Sequence, residues 1–169
     1  MSKQNKTAKP LRLLEIDIGR QTLTLYDDDQ VIFQRLVSTA KNGAGERTGS
    51  ECTPRGKHIV RAKIGTGAPV NAVFVGRRHT GEIYSPEFAQ RFPGRDWILT
   101  RILWLSGCEV GKNRLGTVDT MRRYIYLHGT PDGVALGVPG SRGCVRMRNE
   151  DIIALFDLIA PGTPVLIKE

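Results

Sequence analysis

Along this chain apolar and polar residues alternate over short runs, and glycine or proline interrupts nearly every run. Period-two alternation marks a strand with one buried face. Leu11, Leu13, Glu15 and Asp17 begin such a pattern. QTLTLYDDDQVIFQRLV reads as two short strands around Asp27–Asp29, a hairpin. KHIVRAKIG is a further strand, followed by a turn at Gly65–Pro69 and a strand over Asn71–Val75. SPEFAQRF is one helical turn before Pro93, WILTRILWL is apolar enough for a buried strand, and YIYLHGT is a strand that ends at His128. Two long polar loops interrupt this series. STAKNGAGERTGSECTPRGKH carries four glycines before Lys57, and SGCEVGKNRLGTVDTMRR is the second. Loops of that length in a small domain are often functional.

One segment changes period. Ile152, Leu155, Phe156 and Ile159 follow the i, i+3, i+4, i+7 spacing of a helix with one core face. Asn149 is positioned to cap it, Glu150 and Asp151 suit its positive N-terminal end, and Pro161-Gly162 stops it. PVLI forms a last strand. The pattern predicts a mainly β single domain over residues 11–169, with one C-terminal helix packed on the sheet, after a disordered tail over residues 1–10.

A length of 169 residues fits one domain, and 19 glycines with 9 prolines agree with many turns. The net charge of +8 admits nucleic acid, an anionic surface or carboxylate-bearing substrates as partners. The basic residues are scattered, and no helix-turn-helix, zinc spacing or aromatic RNA-binding signature accompanies them, so no nucleic-acid partner is expected. Arg77-Arg78 and Arg122-Arg123 read as solvated surface. Cys52, Cys108 and Cys144 are three, with no close pairing, which argues against a disulfide framework and fits a reducing compartment. None stands at metal-ligand spacing with His58, His79 or His128, and neither a metal nor an organic cofactor is expected. In the first 21 residues Arg12, Glu15 and Asp17 break any apolar run at once, so no secretory signal is read. No run approaches the length of a membrane span. The expected location is cytoplasmic; a processed or truncated chain would look the same and would allow a periplasmic one.

The chemistry concentrates in YIYLHGTPDGVALGVPGSRGCVRMR, residues 124–148. A histidine ends an apolar strand, and sixteen residues later a cysteine follows Gly143. A thiol is a weak nucleophile until ionised, and a nearby imidazole can hold it as thiolate–imidazolium. Such a Cys144 should react rapidly near neutral pH, faster than Cys52 or Cys108. Gly143 permits close backbone approach, and amides around Gly143 and Cys144 could bind an oxyanion. The alternative is structural: a lone cysteine is usually a small core hydrophobe.

YIYLHGT…LGVPGSRGCVRM, then a helix and GTPVLI, resembles the L,D-transpeptidase catalytic domain, the YkuD family. LVSTAKNG, TPRGKH and TRILWL upstream agree, and the resemblance runs from about residue 11 to 167. It implies a YkuD-like β-sandwich-type fold. It implies Cys144 as nucleophile, His128 as base, and the backbone carbonyl of Gly129 as the group that orients the imidazole. Ser141 and Gly143 would shape the site, and Arg146 would support the loop or bind a substrate carboxylate. The segment Cys108–Arg123 would form a flap near the cleft. The family often carries histidine where Arg142 stands, and an arginine fork suits an anionic end of the donor peptide. The implied enzyme performs acyl transfer on peptidoglycan stem peptides through a thioester. Without an export signal the chain resembles the cytoplasmic L,D-carboxypeptidases of peptidoglycan recycling, which take D-alanine from tetrapeptides or muropeptides. The alternatives are an L,D-transpeptidase that cross-links the wall or exchanges D-amino acids, and a non-catalytic module that binds wall fragments. Carbapenem-type compounds are the covalent inhibitors that the resemblance implies.

Overall fold

The computed structural model describes residues 11–169, so the tail expected over residues 1–10 lies outside the described residues. The elements are β1 (Arg12–Asp17), β2 (Thr22–Asp27), β3 (Gln30–Leu36), β4 (Gly56–Ile64), β5 (Ala72–Val75), β6 (Arg78–Ile83), α1 (Pro86–Ala89), β7 (Ile98–Gly107), β8 (Tyr126–Gly129), β9 (Val145–Met147), α2 (Asn149–Leu158) and β10 (Pro164–Lys168). All ten strands belong to one hydrogen-bonded sheet in the order β3-β2-β1-β10-β4-β7-β5-β6, with β8 and β9 branching from β7. The protein is mainly β, as the alternation predicts.

The sheet branches because β7 is long. Ile102–Gly107 pairs with β4, Ile98–Leu99 pairs with β5, and the other edge of Leu99–Trp104 takes β8. The C-terminal strand β10 inserts between β1, to which it is parallel, and β4, to which it is antiparallel. The two arms enclose one core. Leu14, Ile16, Leu23 and Leu25 come from one arm, and Leu103, Leu105, Leu127, Val145 and Met147 from the other. Ile152, Leu155 and Phe156 of α2, with Ile159 beyond it, close that core, as their spacing predicts.

Two strands escape the hydrophobic pattern. β6, RHTGEI, is almost wholly exposed and exists as the antiparallel partner of β5. β9 is three residues long inside a Gly-rich stretch and is fixed by pairing with β8. The helix start also differs from expectation. Arg148 occupies the cap position and no side chain caps the helix. Asn149 is instead buried and points inward, where tertiary hydrogen bonds outcompete capping.

His58 on β4 is structural and fully enclosed, 1% exposed. Its Nδ1 faces the carbonyl of Gly56 at 2.9 Å and its Nε2 faces the hydroxyl of Thr120 at 3.0 Å. A carbonyl only accepts, so Nδ1 carries the proton and the ring is neutral. Burial lowers its pKa to about 4. Below pH 6.5 the unfolded chain takes up this proton and the folded chain does not, so stability falls as pH drops from about 6.5 to about 4. The loss reaches about 3 kcal/mol over that window. Unfolding free energies across this pH range should therefore slope less for His58→Asn than for the wild-type chain. Equal slopes would remove His58 from the account.

Candidate active site

The register of three strands builds the site. β8 pairs with β7 on one edge and with β9, in parallel, on the other; His128 stands opposite Arg146, and Leu127 opposite Val145. Alternate strand residues share a face. Leu127, Val145 and Met147 point into the core, so Tyr126, His128, Cys144 and Arg146 point the other way. There they line a cavity of about 470 Å³. Sixteen residues of separation thus collapse to adjacent strands.

His128 is 1% exposed, and its Nδ1 lies 2.7 Å from the carbonyl of Gly129. That carbonyl can only accept, which assigns the proton to Nδ1 and leaves the Nε2 lone pair toward the cavity. The chain at Gly129 and Thr130 is itself backed by Asn149. Asn149 donates Nδ2–H to the carbonyl of Thr130 at 3.1 Å and to Oδ1 of Asn71 at 3.0 Å. Asn149 Oδ1 accepts the Thr100 hydroxyl at 2.7 Å, and the Asn71 amide donates to that hydroxyl at 3.0 Å. Asn71 and Thr100 both adopt left-handed backbone, φ +68° and +76°. For the β-branched Thr100 this is a real strain, of order 1–3 kcal/mol, which a buried network can hold. A side chain at position 129 would collide with Asn149 Oδ1 and lie 2.6 Å from the Leu99 carbonyl. The network explains both the glycine and the inward turn of Asn149. Thr100→Val keeps the volume and removes the hydroxyl, so it should cost about 1–3 kcal/mol of stability through the unpaired Asn149 oxygen. It should also weaken the Nδ1–H signal of His128 in imidazole ¹⁵N spectra, while Thr100→Ser restores it.

The cysteine loop is stitched to the first long polar loop. Ser38 and Arg146 exchange backbone hydrogen bonds at 3.0 and 2.9 Å, and Gly140 and Ser141 both donate to the Thr39 carbonyl. The Thr53 hydroxyl donates to the Gly143 carbonyl at 2.9 Å. Gly143 has φ +130°, and a Cβ there would sit 3.1 Å from both the Cys52 carbonyl and Ile125. Ser141 Oγ donates to the Cys144 carbonyl at 2.5 Å and accepts the Gly143 amide at 3.1 Å. The Gly143 amide is thus occupied within the loop, contrary to the expectation that it serves an oxyanion. Arg146 donates to the Gly140 carbonyl at 3.0 Å and to Asp96 at 3.2 Å. Arg142 is exposed at the rim of the cavity and makes no side-chain hydrogen bond among the described residues.

At rest the sulfur is not ion-paired. Cys144 Sγ accepts the Tyr126 amide and donates to the Tyr124 carbonyl, each at 3.4 Å; no hydrogen bond joins it to the imidazole. Burial pushes the thiol up to about 12, against the Tyr126 amide, Arg146 and Arg123, which pull it down; Asp96 adds to the rise. Burial also lowers the His128 pKa. Burial thus favours a neutral thiol and a neutral imidazole at rest over the thiolate–imidazolium pair that the sequence admits. Two charged groups in low-dielectric surroundings cost more than the neutral pair.

Several lining residues were not legible as site residues. Arg77 and Arg123 read as solvated surface, and the structure corrects this. Arg77 donates to the Tyr126 hydroxyl at 3.0 Å and lies over the rings of Trp104 and Tyr124, at 4.6 and 4.8 Å from their centroids. Arg123 donates to the Cys52 carbonyl at 2.6 Å and is half-buried. Their neighbours Arg78 and Arg122 are exposed. Asp96 is the one acidic lining residue, beside Arg77, Arg123, Arg142 and Arg146. The segment Cys108–Arg123, expected as a flap near the cleft, reaches the cavity at its C-terminal end. Only Arg123 of that segment lines the cavity. The rest is fastened down: Glu109 accepts the Lys57 amide at 2.8 Å and Asn113 donates to the carbonyls of Arg55 and Lys57. No group of three or more metal-ligating side chains forms among the described residues.

Residues 11–167 match the model of the L,D-transpeptidase catalytic domain, YkuD, and the chain belongs to that family. Among curated relatives it is similar to the probable L,D-transpeptidase ErfK/SrfK of Salmonella typhimurium, 44% identical over 45 residues, 27% of this chain and 15% of that protein. Among solved structures it is similar to an L,D-transpeptidase from Mycobacterium smegmatis, with TM-score 0.58 and 21% identity over 95% of this chain and 59% of that one. It is also similar to the LD transpeptidase LdtMt1 in complex with imipenem, with TM-score 0.56 and 16% identity over 94% of this chain and 59% of that one. The chain spans less than two thirds of each of these proteins. The shared fold is therefore that of the family's catalytic domain. Among the described residues no helix is long and apolar enough to cross a membrane.

Proposed function

We propose that the protein is a cysteine acyl transferase acting on peptidoglycan stem peptides. The observation that supports this most is a thiol and an Nδ1-protonated imidazole in one cavity ringed by four guanidinium groups. Stem peptides carry several carboxylates, which that ring suits. On substrate binding the Cys144 proton passes to Nε2 of His128, and Sγ attacks the carbonyl of the third stem residue. The Gly129 carbonyl keeps the imidazole oriented as it gains charge. Positive charge from Arg123 and Arg146 favours the developing anion. His128 then protonates the departing D-alanine amine, and a thioester remains on Cys144.

Water as the acceptor makes the enzyme an L,D-carboxypeptidase, and this is the first reading. A cavity of about 470 Å³ suits one peptide end. With it we propose a role in peptidoglycan recycling in the cytoplasm, with soluble tetrapeptides or muropeptides as substrates. An amine acceptor makes it an L,D-transpeptidase, and the names of its relatives favour that second reading. Imipenem bound to LdtMt1 supports carbapenems as covalent ligands of Cys144. Mass spectrometry of products from a disaccharide tetrapeptide separates the readings: tripeptide alone supports hydrolysis, whereas dimers or exchanged D-amino acids support transfer.

Arg142 faces the cavity unpaired among the described residues and is assigned here to an anionic end of the donor. Arg142→Ala should raise KM about tenfold or more with little change in kcat, since it removes binding made equally in ground and transition states. An unchanged KM would return Arg142 to the surface.

A further inference from the structure

The chain between Gly65 and Trp97 adds β5 and β6 to the end of the sheet and then, through α1, makes an excursion with a small aromatic cluster of its own. The ring of Trp97 packs edge-on against Tyr84 at 5.1 Å and Phe92 at 6.4 Å, and tilted against Phe88 at 5.8 Å. Arg95 stacks over Trp97 at 4.5 Å and pairs with Glu82 at 3.0 Å. Asp96 lies between these two anchored residues, so its backbone is held in place before any ligand arrives.

Its side chain enters the cavity as the only carboxylate among the lining residues, where four arginines already stand. One oxygen, Oδ1, accepts from Arg146; the other has no partner among the described residues, and the side chain remains 37% exposed. Arg146 does not depend on Asp96 to fasten the cysteine loop, because its other nitrogen donates to Gly140. A negative charge here also opposes thiolate formation. With Oδ1 taken by Arg146, the exposed second oxygen is an acceptor open to a hydrogen-bond donor that a ligand brings into the cavity.

We propose that Asp96 is a subsite for a primary ammonium group brought into the cavity by the substrate. This rests on the stem-peptide reading. A compact ammonium has three donors and can bond the open Asp96 oxygen, while the surrounding arginines take the carboxylates of the same substrate. The ammonium can belong to the side chain of a diamino acid at the third position of the donor, or to an incoming amine acceptor. Both present the same chemistry.

Binding separates this from catalysis. Cys144→Ala is titrated with a tetrapeptide carrying diaminopimelate and with the same peptide acetylated on its side-chain amine. The ratio of the two Kd values cancels any general disturbance of the pocket. The expected preference for the free amine is at least about tenfold. It should collapse toward one in Cys144→Ala/Asp96→Asn and recover in Cys144→Ala/Asp96→Glu. A second arm measures exchange of a free D-amino acid into the thioester of the otherwise wild-type enzyme, with and without Asp96→Asn. Loss of the donor ratio assigns the subsite to the donor, and loss of exchange alone assigns it to the acceptor. Either result supports the proposal. A donor ratio near one in the Cys144→Ala protein, with exchange unaffected by Asp96→Asn, overturns it. If wild-type enzyme releases no D-alanine while the ratio persists, the stem-peptide reaction fails and the ammonium subsite stands.

Discussion

Cys144→Ala should abolish release of D-alanine from a stem tetrapeptide, by at least about three orders of magnitude, while leaving peptide binding intact. The size of the effect follows from the role assigned to the sulfur. Without it no thioester forms, and the remaining hydrogen-bond donors and arginines can only orient the peptide. The fold should tolerate the change. The loop around position 144 is held by Ser141, Thr53 and Arg146, none of which depends on the thiol. Cys52 and Cys108 are free thiols, but neither lines the cavity, so neither should substitute. Product analysis by mass spectrometry with a titration alongside checks both halves. Binding without turnover in the variant and turnover in the wild type excludes a mere wall-fragment binder. Binding with no turnover in either supports one.

The second large effect is expected at His128. His128→Gln removes the proton acceptor and should lower kcat about 10²- to 10⁴-fold. The neutral resting pair also sets a distinctive pH dependence. His128 must be unprotonated to accept the thiol proton, and burial lowers its pKa below the usual 6.5. Activity should therefore fall only as pH drops through that lowered value. Because the thiol titrates near 12, no alkaline limb from Cys144 should appear below about pH 10. A resting thiolate–imidazolium pair behaves oppositely: it loses activity once the imidazolium deprotonates. kcat/KM measured from pH 5 to 10 distinguishes the two. A plateau up to pH 10 fits the geometry described, and a fall between pH 8 and 9 contradicts it. Under the same account, alkylation of Cys144 in the free enzyme should be slow at pH 7 and quicken with rising pH.

The sequence made some of this legible and hid the rest for physical reasons. Strands such as β1 and β2 announce themselves by alternation, β7 by its apolar run, and α2 by its 3.6-residue period. The motif around His128 and Cys144 was visible because strand-end histidine, glycine-rich return and cysteine are read locally, and the resemblance names their family. β6 and β9 were not visible because pairing alone specifies them. The same limit applies to the site. Arg77, Asp96 and Arg123 meet the cavity only through the hairpin turn, the aromatic excursion and the Cys52 carbonyl, contacts that no local pattern encodes. Asn149 shows the sharpest conflict. Its position predicts a cap, yet satisfying a buried Thr100 hydroxyl and the Thr130 carbonyl outweighs one exposed capping bond. The resting charge state is a property of burial, which no spacing of cysteine and histidine reveals.

A covalent acyl-enzyme on Cys144 is the intermediate that the proposed reaction requires. Intact-mass spectrometry after rapid acid quench of enzyme mixed with a stem tetrapeptide tests it most directly. A mass increase equal to the tripeptide acyl group is expected, carried by Cys144 in the peptide map and missing in Cys144→Ala. Release of D-alanine with no such adduct at any quench time, or an adduct on another residue, would contradict it.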